Sequence, residues 1–136
     1  MNIEREKSMK RYSDFTLLFA DDDPSIRQIY SKAFSKEGYR VLTCDNADQV
    51  MAELNEQKVD LLVTDLEMPK ANTLDLFPAL KKAYPRLPVV VVTGHYQGMK
   101  EEFLSKGYNV TAFLNKPAET SVLKIVIKDI LKVEAN

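Results

Sequence analysis

An α/β domain built on a doubly wound parallel sheet is the fold class this sequence predicts, and three observations predict it. Five short apolar runs alternate along the chain with five segments whose apolar residues recur at helical spacing. The fourth run, Pro88-Val89-Val90-Val91-Val92-Thr93-Gly94, is apolar on successive residues, as a strand covered on both faces must be. No internal repeat, linker or low-complexity segment divides the 136 residues, a length that suits one domain with its own core. Crossovers in such sheets are right-handed, and ligands bind beyond the carboxyl ends of the strands, where the winding reverses.

Residues 1–14 are charged and aperiodic and read as a flexible arm or a short helix turn, ahead of a domain covering 15–136. Thr16-Leu17-Leu18-Phe19-Ala20 is the first strand, closed abruptly by Asp21-Asp22-Asp23, and Pro24 suits the first turn of a helix. Ile26, Ile29, Tyr30, Ala33 and Phe34 give that helix its apolar face, and Gly38 ends it as a left-handed C-terminal residue. Tyr39–Cys44 is the second strand, and Asp45-Asn46 cap a helix facing inward through Ala47, Val50, Met51 and Leu54. Asp60–Asp65 is an apolar third strand closing on an acid. A turn-rich stretch follows, then Leu74, Phe77, Leu80, Lys81 and Tyr84 at helical spacing; Pro78 means that this helix starts nearby or bends there. After the fourth strand, a helix from about Gly98 to Lys106 stops at Gly107. Val110–Leu114 is the fifth strand, cut off by Asn115-Lys116-Pro117. Val122, Ile125, Val126, Asp129 and Ile130 organise a final amphipathic helix.

Composition narrows the function classes. Nineteen basic against 20 acidic residues leave a net charge of -1, so nothing electrostatic favours nucleic acid or an anionic membrane as partner. One cysteine, Cys44, excludes an intrachain disulfide framework and a cysteine-built zinc site, and fits a reducing, cytoplasmic setting. The amino terminus lacks the apolar segment of a secretion signal, and no run reaches the ~20 apolar residues needed to span a bilayer.

The chemistry lies at the strand ends. Three acids after one strand repel one another, so either a hard divalent cation sits among them or they cap and complement the helix that follows. The winding rule brings Asp21 and Asp22, Asp65, Thr93 and Lys116 to one rim. Carboxylates with one lysine and one hydroxyl suit a Mg²⁺ site that presents an acid to an incoming phosphoryl group. A Ser–His–Asp arrangement and a phosphate-cradling glycine loop are both missing from the sequence.

Four motifs then carry a resemblance over residues 15 to 133. Leu17-Leu18-Phe19-Ala20-Asp21-Asp22-Asp23-Pro24-Ser25-Ile26-Arg27, Leu62-Val63-Thr64-Asp65-Leu66-Glu67-Met68-Pro69, Val92-Thr93-Gly94 and Phe113-Leu114-Asn115-Lys116-Pro117 resemble, in order and spacing, the receiver domain of two-component response regulators. The resemblance implies the flavodoxin-like strand order 2-1-3-4-5, with helices on both faces. It implies that Asp65 is the phosphoacceptor for a histidine kinase or phosphotransfer protein. Mg²⁺ would be held by Asp22 directly, by Asp21 through water, by Asp65 and by the backbone carbonyl of Glu67. Thr93 resembles the switch hydroxyl and Lys116 the cation that pairs with the phosphoryl oxygens. Phe113 takes the switch-aromatic position, where a phenylalanine can act only by packing. Asp23 reads as a helix cap. Such a domain is not an enzyme beyond its own phosphorylation and dephosphorylation. No further domain is expected after Lys132, so output would be contact with a target protein, or a homodimer, through the face of the fourth helix, fifth strand and fifth helix.

Three departures from the family pattern bear on chemistry. Thr73 stands where a glycine is common, so its loop lacks glycine's conformational freedom. Glu67 and His95 stand two residues beyond the acceptor and the switch threonine, and either they modulate the phosphoryl lifetime or they are solvated loop residues. The chain between Gly107 and Phe113 is slightly long. These departures favour the alternative, a receiver-like scaffold that works without phosphorylation. A small phosphohydrolase is disfavoured, because no second acid is placed for a leaving group.

Overall fold

The computed structural model describes residues 10–68, 73–94 and 98–134. Strands β1 (Thr16–Ala20), β2 (Arg40–Cys44), β3 (Leu61–Thr64), β4 (Val89–Thr93) and β5 (Val110–Asn115) alternate with helices α1 (Pro24–Glu37), α2 (Ala47–Glu56), α3 (Leu76–Ala83), α4 (Met99–Ser105) and α5 (Thr120–Leu131). All pairings are parallel, in the order β2-β1-β3-β4-β5, as expected. The order reverses beside β1, so the ends of β1 and β3 lie side by side at the switch point, with Ala20 opposite Thr64.

Period-two alternation divides each central strand between two cores. Leu18, Leu62, Val89 and Val91 face one layer, with Val50 and Leu54 of α2, Phe77 and Leu80 of α3 and Phe103 of α4. Leu17, Phe19, Val63, Val90 and Val92 face the other, with Tyr30 and Phe34 of α1 and Leu123 and Ile127 of α5. Every residue of β1, β3 and β4 is buried, which explains why these runs are apolar without a break.

The local signals act as the sequence suggests. Asp23 caps α1 by accepting from the amide of Ser25 at 2.9 Å, and Pro24 fills the first helical position. Gly38 closes the helix at φ 118°, and a Cβ there would meet the Cβ of Tyr12 at 3.0 Å. Asn46 caps α2 through the amide of Gln49. Pro78 lies in the first turn of α3, where its missing amide hydrogen costs nothing. Tyr12–Asp14 form the short helix turn, with Tyr12 edge-on to Tyr39 at 5.0 Å, and the amide of Glu134 donates to the carbonyl of Lys10 at 2.8 Å. Residues 1–9 of the expected arm lie outside the described residues.

Three details differ from the sequence reading or complete it. The inward face of α5 is Leu123 and Ile127; Val122 and Ile125, expected to face the core, are exposed, Ile125 by 70%. The helix is apolar on most sides, so periodicity alone does not choose its buried stripe, and packing against the sheet does. Ile29 of α1 is likewise exposed, while Tyr30 and Phe34 carry the burial. The extra length before Phe113 is a bulge: Val89 pairs with Val110 and Val90 with Ala112, so Thr111 is the additional residue.

Cys44 ends β2 in the core. Burial, and then the charge of Glu53, push its thiol up to about 12 from an ordinary 9.0. The folded state therefore disfavours the thiolate, and stability falls as pH rises from 9.0 towards about 12. At about pH 8, iodoacetamide should leave the native protein unmodified and alkylate it once unfolded, read by intact mass. Rapid alkylation of the native protein would contradict this burial.

Candidate functional site

The carboxyl ends of β1, β3, β4 and β5 converge as the winding rule requires. Asp21, just past β1, is 6% exposed, and Asp65, just past β3, is 3% exposed. Two main-chain bonds pin these positions: the amide of Asp65 donates to the carbonyl of Ala20 at 3.0 Å, and that of Asp21 to the carbonyl of Cys44 at 3.1 Å. Asp22 is exposed at the rim. One oxygen from each of Asp21, Asp22 and Asp65 lies within 4.8 Å of the others.

Lys116 follows β5, and its amide donates to the carbonyl of Thr93 at 3.0 Å. Its Nζ lies 2.7 Å from Oδ2 of Asp65 and 2.9 Å from Oδ2 of Asp21, so one ammonium bridges the two buried acids. Burial pulls the pKa of Lys116 down, but the hydrogen bonds and charges of Asp65 and Asp21 outweigh it, and the net shift is upward. The lysine is therefore held charged. The remaining acceptors are also engaged: Oδ1 of Asp65 accepts from the amide of Glu67 at 3.1 Å, and Oδ1 of Asp21 from the amide of Asp23 at 2.9 Å. Such saturation fixes the rotamers of both acids.

Thr93 is fully buried at the end of β4. The side chain of Glu67 is exposed, and its amide donates to Oδ1 of Asp65. His95, the other candidate modulator, lies outside the described residues, as do residues 69–72 of the loop after Glu67. Thr73 opens a short 3-10 turn, Thr73–Asp75, and among the described residues only Lys132 is a non-glycine with positive φ. Phe113 is half-buried, its ring edge against Phe103 at 5.6 Å, and Phe103 in turn stacks with Phe77 and Tyr108.

Two residues beside the site had no assigned role. Nη1 of Arg27 donates to the carbonyl of Asp21 at 2.7 Å, and the hydroxyl of Tyr30 donates to the carbonyl of Ala118 at 2.9 Å. A lone cation six residues past Asp21 is a readable signal for Arg27. Tyr30 reads from sequence only as a core aromatic.

Oxygen donors alone, two of them buried and anionic, are the set that suits a hard divalent cation such as Mg²⁺. A buried carboxylate with an ammonium beside it is equally the arrangement that offers an anionic nucleophile to a phosphoryl group. Residues 17–128 match the family model of the response regulator receiver domain. The chain belongs to that family. Among curated relatives, the receiver is 32% identical over 119 residues to the transcriptional regulatory protein GlrR of Escherichia coli (strain K12). That match covers 88% of this chain and 27% of GlrR, so this chain spans about a quarter of that relative's length. It is 44% identical over 78 residues, 57% of this chain and 16% of the relative, to the DNA-binding transcriptional regulator NtrC of Rhizobium meliloti (strain 1021). Among solved structures, the fold matches a CheY-like response regulator receiver domain protein from Methanospirillum hungatei JF-1 with a TM-score of 0.79 and 24% identity, over 92% of this chain and 95% of that one. Chemotaxis protein CheY4 of Vibrio cholerae matches with a TM-score of 0.77 and 23% identity, covering 85% of this chain and 98% of its own. As a receiver, the chain is a signalling domain of two-component regulation. No helix among the described residues is long and apolar enough to cross a membrane.

Proposed function

We propose that this receiver accepts a phosphoryl group on Asp65 from the phosphohistidine of a histidine kinase or phosphotransfer protein. The observation that carries the reading is Lys116, whose ammonium sits 2.7 Å from Asp65 and 2.9 Å from Asp21 with Asp22 beside them. A carboxylate oxygen of Asp65 forms the new O–P bond while the P–N bond of the donor breaks, and the imidazole leaves with its electron pair and takes a proton. The result is an acyl phosphate. Lys116 then shares the phosphoryl oxygens, and the hydroxyl of Thr93 hydrogen-bonds one of them. Asp21, Asp22, Asp65 and the carbonyl of Glu67 would hold Mg²⁺, which when bound offsets charge on the phosphoryl oxygens.

The switch in this reading is a shift of population. Drawing Thr93 towards the phosphoryl group changes the room available to Phe113, which rests on Phe103 of α4. The α4–β5–α5 face then changes its fit to a target protein, to a second copy or to an output domain. The relatives GlrR and NtrC carry transcriptional names, which supports a regulatory output. The setting would be cytoplasmic, where Cys44 remains a thiol.

Incubation with acetyl phosphate and Mg²⁺, followed by intact mass and by hydroxylamine release of the acyl phosphate, tests the reading. One phosphoryl group that needs Mg²⁺ supports it. A protein that stays unmodified and shows no heat of Mg²⁺ binding is the phosphorylation-independent scaffold instead.

Glu67 and His95 are assigned the lifetime of the phosphoryl group. Glu67 either repels the dianion or orients an attacking water, so its removal acts in one direction. Glu67→Ala should lengthen the acyl-phosphate half-life about threefold, the size of one like-charge interaction of ~0.7 kcal/mol in a wet loop. A half-life equal to that of the wild type removes Glu67 from the scheme.

A further inference from the structure

Lys116 can serve Asp65 only if its backbone is held. A lysine side chain has four rotatable carbon–carbon bonds, so its ammonium is placed largely by where its Cα sits and by what receives it. On the amino-terminal side the backbone is fixed by the bond from the amide of Lys116 to the carbonyl of Thr93 at 3.0 Å. The next residue is Pro117, which has no amide hydrogen to anchor the chain. The hold on the other side comes from across the sheet: the hydroxyl of Tyr30 in α1 donates to the carbonyl of Ala118 at 2.9 Å, between residues 88 apart in sequence.

Tyr30 is itself rigid. It is 8% exposed and packs on Phe19 at 5.4 Å and on Phe34 at 6.5 Å, edge-on. Its neighbour Arg27, one turn earlier, is bonded to the carbonyl of Asp21. Helix α1 thus grips the end of β1 and the loop after β5, the two segments that the Lys116–Asp21 ion pair ties together. A groove of about 650 Å³ opens between α1 and this loop, lined by Ile26, Ile29 and Tyr30 on one side and by Lys116, Pro117 and Ala118 on the other. Beside such open space, a single directional bond matters to where the loop rests.

We infer that Tyr30 is a positioning residue for phosphoryl transfer, holding the carbonyl of Ala118 so that the Lys116 ammonium stays on Asp65 and Asp21. The inference rests on the function proposed above and names a residue through which that site is kept in order. The hydroxyl touches no reacting atom.

The test is Tyr30→Phe, which keeps the ring in the core and removes only the hydroxyl. Two readouts are taken on the folded protein, well below its melting temperature. The rate of acyl-phosphate formation from acetyl phosphate with Mg²⁺ should fall about three- to tenfold, the range expected for losing one hydrogen bond. The ¹H–¹⁵N signal of the Lys116 ammonium, protected in the wild type by its two carboxylates, should broaden through solvent exchange in the variant. A variant with a lower melting temperature but wild-type rate and an unchanged ammonium signal overturns the inference, because the bond then serves only the core. If the wild-type protein takes no phosphoryl group, the proposed function fails. The ammonium signal then decides alone: broadening supports positioning of Lys116 by Tyr30, and an unchanged signal overturns it.

Discussion

Asp65→Asn should leave the protein folded and reduce labelling by acetyl phosphate with Mg²⁺ by at least about a thousandfold, since an amide oxygen is no nucleophile for phosphorus. Asparagine keeps the shape of the side chain and an oxygen able to accept from the amide of Glu67, the bond that fixes Oδ1 at 3.1 Å. It removes one of three acids whose oxygens lie within 4.8 Å of one another, which relieves repulsion. It also takes away the closer of the two partners of Lys116, at 2.7 Å, leaving Asp21 at 2.9 Å. These effects oppose each other, so the melting temperature should move little while the chemistry disappears. Intact mass after incubation with the phosphodonor, alongside a thermal melt, measures both. Undiminished labelling of a folded Asn variant would transfer the acceptor role elsewhere, with the exposed Asp22 the first residue to examine.

What could be read in the sequence was what is encoded locally. An apolar run that stops on a polar residue marks a buried strand and the side chain at its end in the same few residues, and the winding rule then puts Asp21, Asp65, Thr93 and Lys116 on one rim. Asp23 announced its cap and Gly38 its helix end, because both act on amides and carbonyls within four residues. The buried stripe of α5 was not encoded that way. Val122, Leu123, Ile125, Val126 and Ile127 are all apolar, and only packing into the core on the sheet face of Leu17, Phe19, Val63, Val90 and Val92 selects Leu123 and Ile127. The role of Tyr30 was beyond local reading for a similar reason: its partner is a main-chain carbonyl, which has no residue type to recognise. Thr111 shows an intermediate case, in which surplus length was visible but its absorption as a bulge depended on pairing with β4.

Lys116→Ala separates the charge compensation this lysine gives two buried acids from the phosphoryl-transfer role proposed for it. In the metal-free protein its ammonium is the cation shared by Asp21 and Asp65, both nearly fully buried. Truncating one partner of a buried ion pair leaves the opposite charges uncompensated, and here two carboxylates lose their cation at once. The metal-free variant should therefore melt at a lower temperature than the wild type. The same vacancy of charge makes the acids a stronger site for a divalent ion, so Mg²⁺ affinity should rise about threefold or more, as expected where a competing cation is removed. By linkage, a ligand that binds the folded state more tightly raises stability more, so added Mg²⁺ should recover a larger share of the melting temperature in the variant. Phosphoryl transfer should move the other way, falling about a hundredfold, as when one preorganised donor to a developing charge is removed. Melts with and without Mg²⁺, titration calorimetry and the rate from acetyl phosphate give the three measurements. An unchanged metal-free melting temperature together with unchanged Mg²⁺ affinity would mean that Lys116 does not compensate these acids. A wild-type rate would mean that it does not stabilise the transferring group. Opposite movement of metal affinity and transfer rate is the signature of a cation that occupies the acids at rest and follows the phosphoryl oxygens once they arrive.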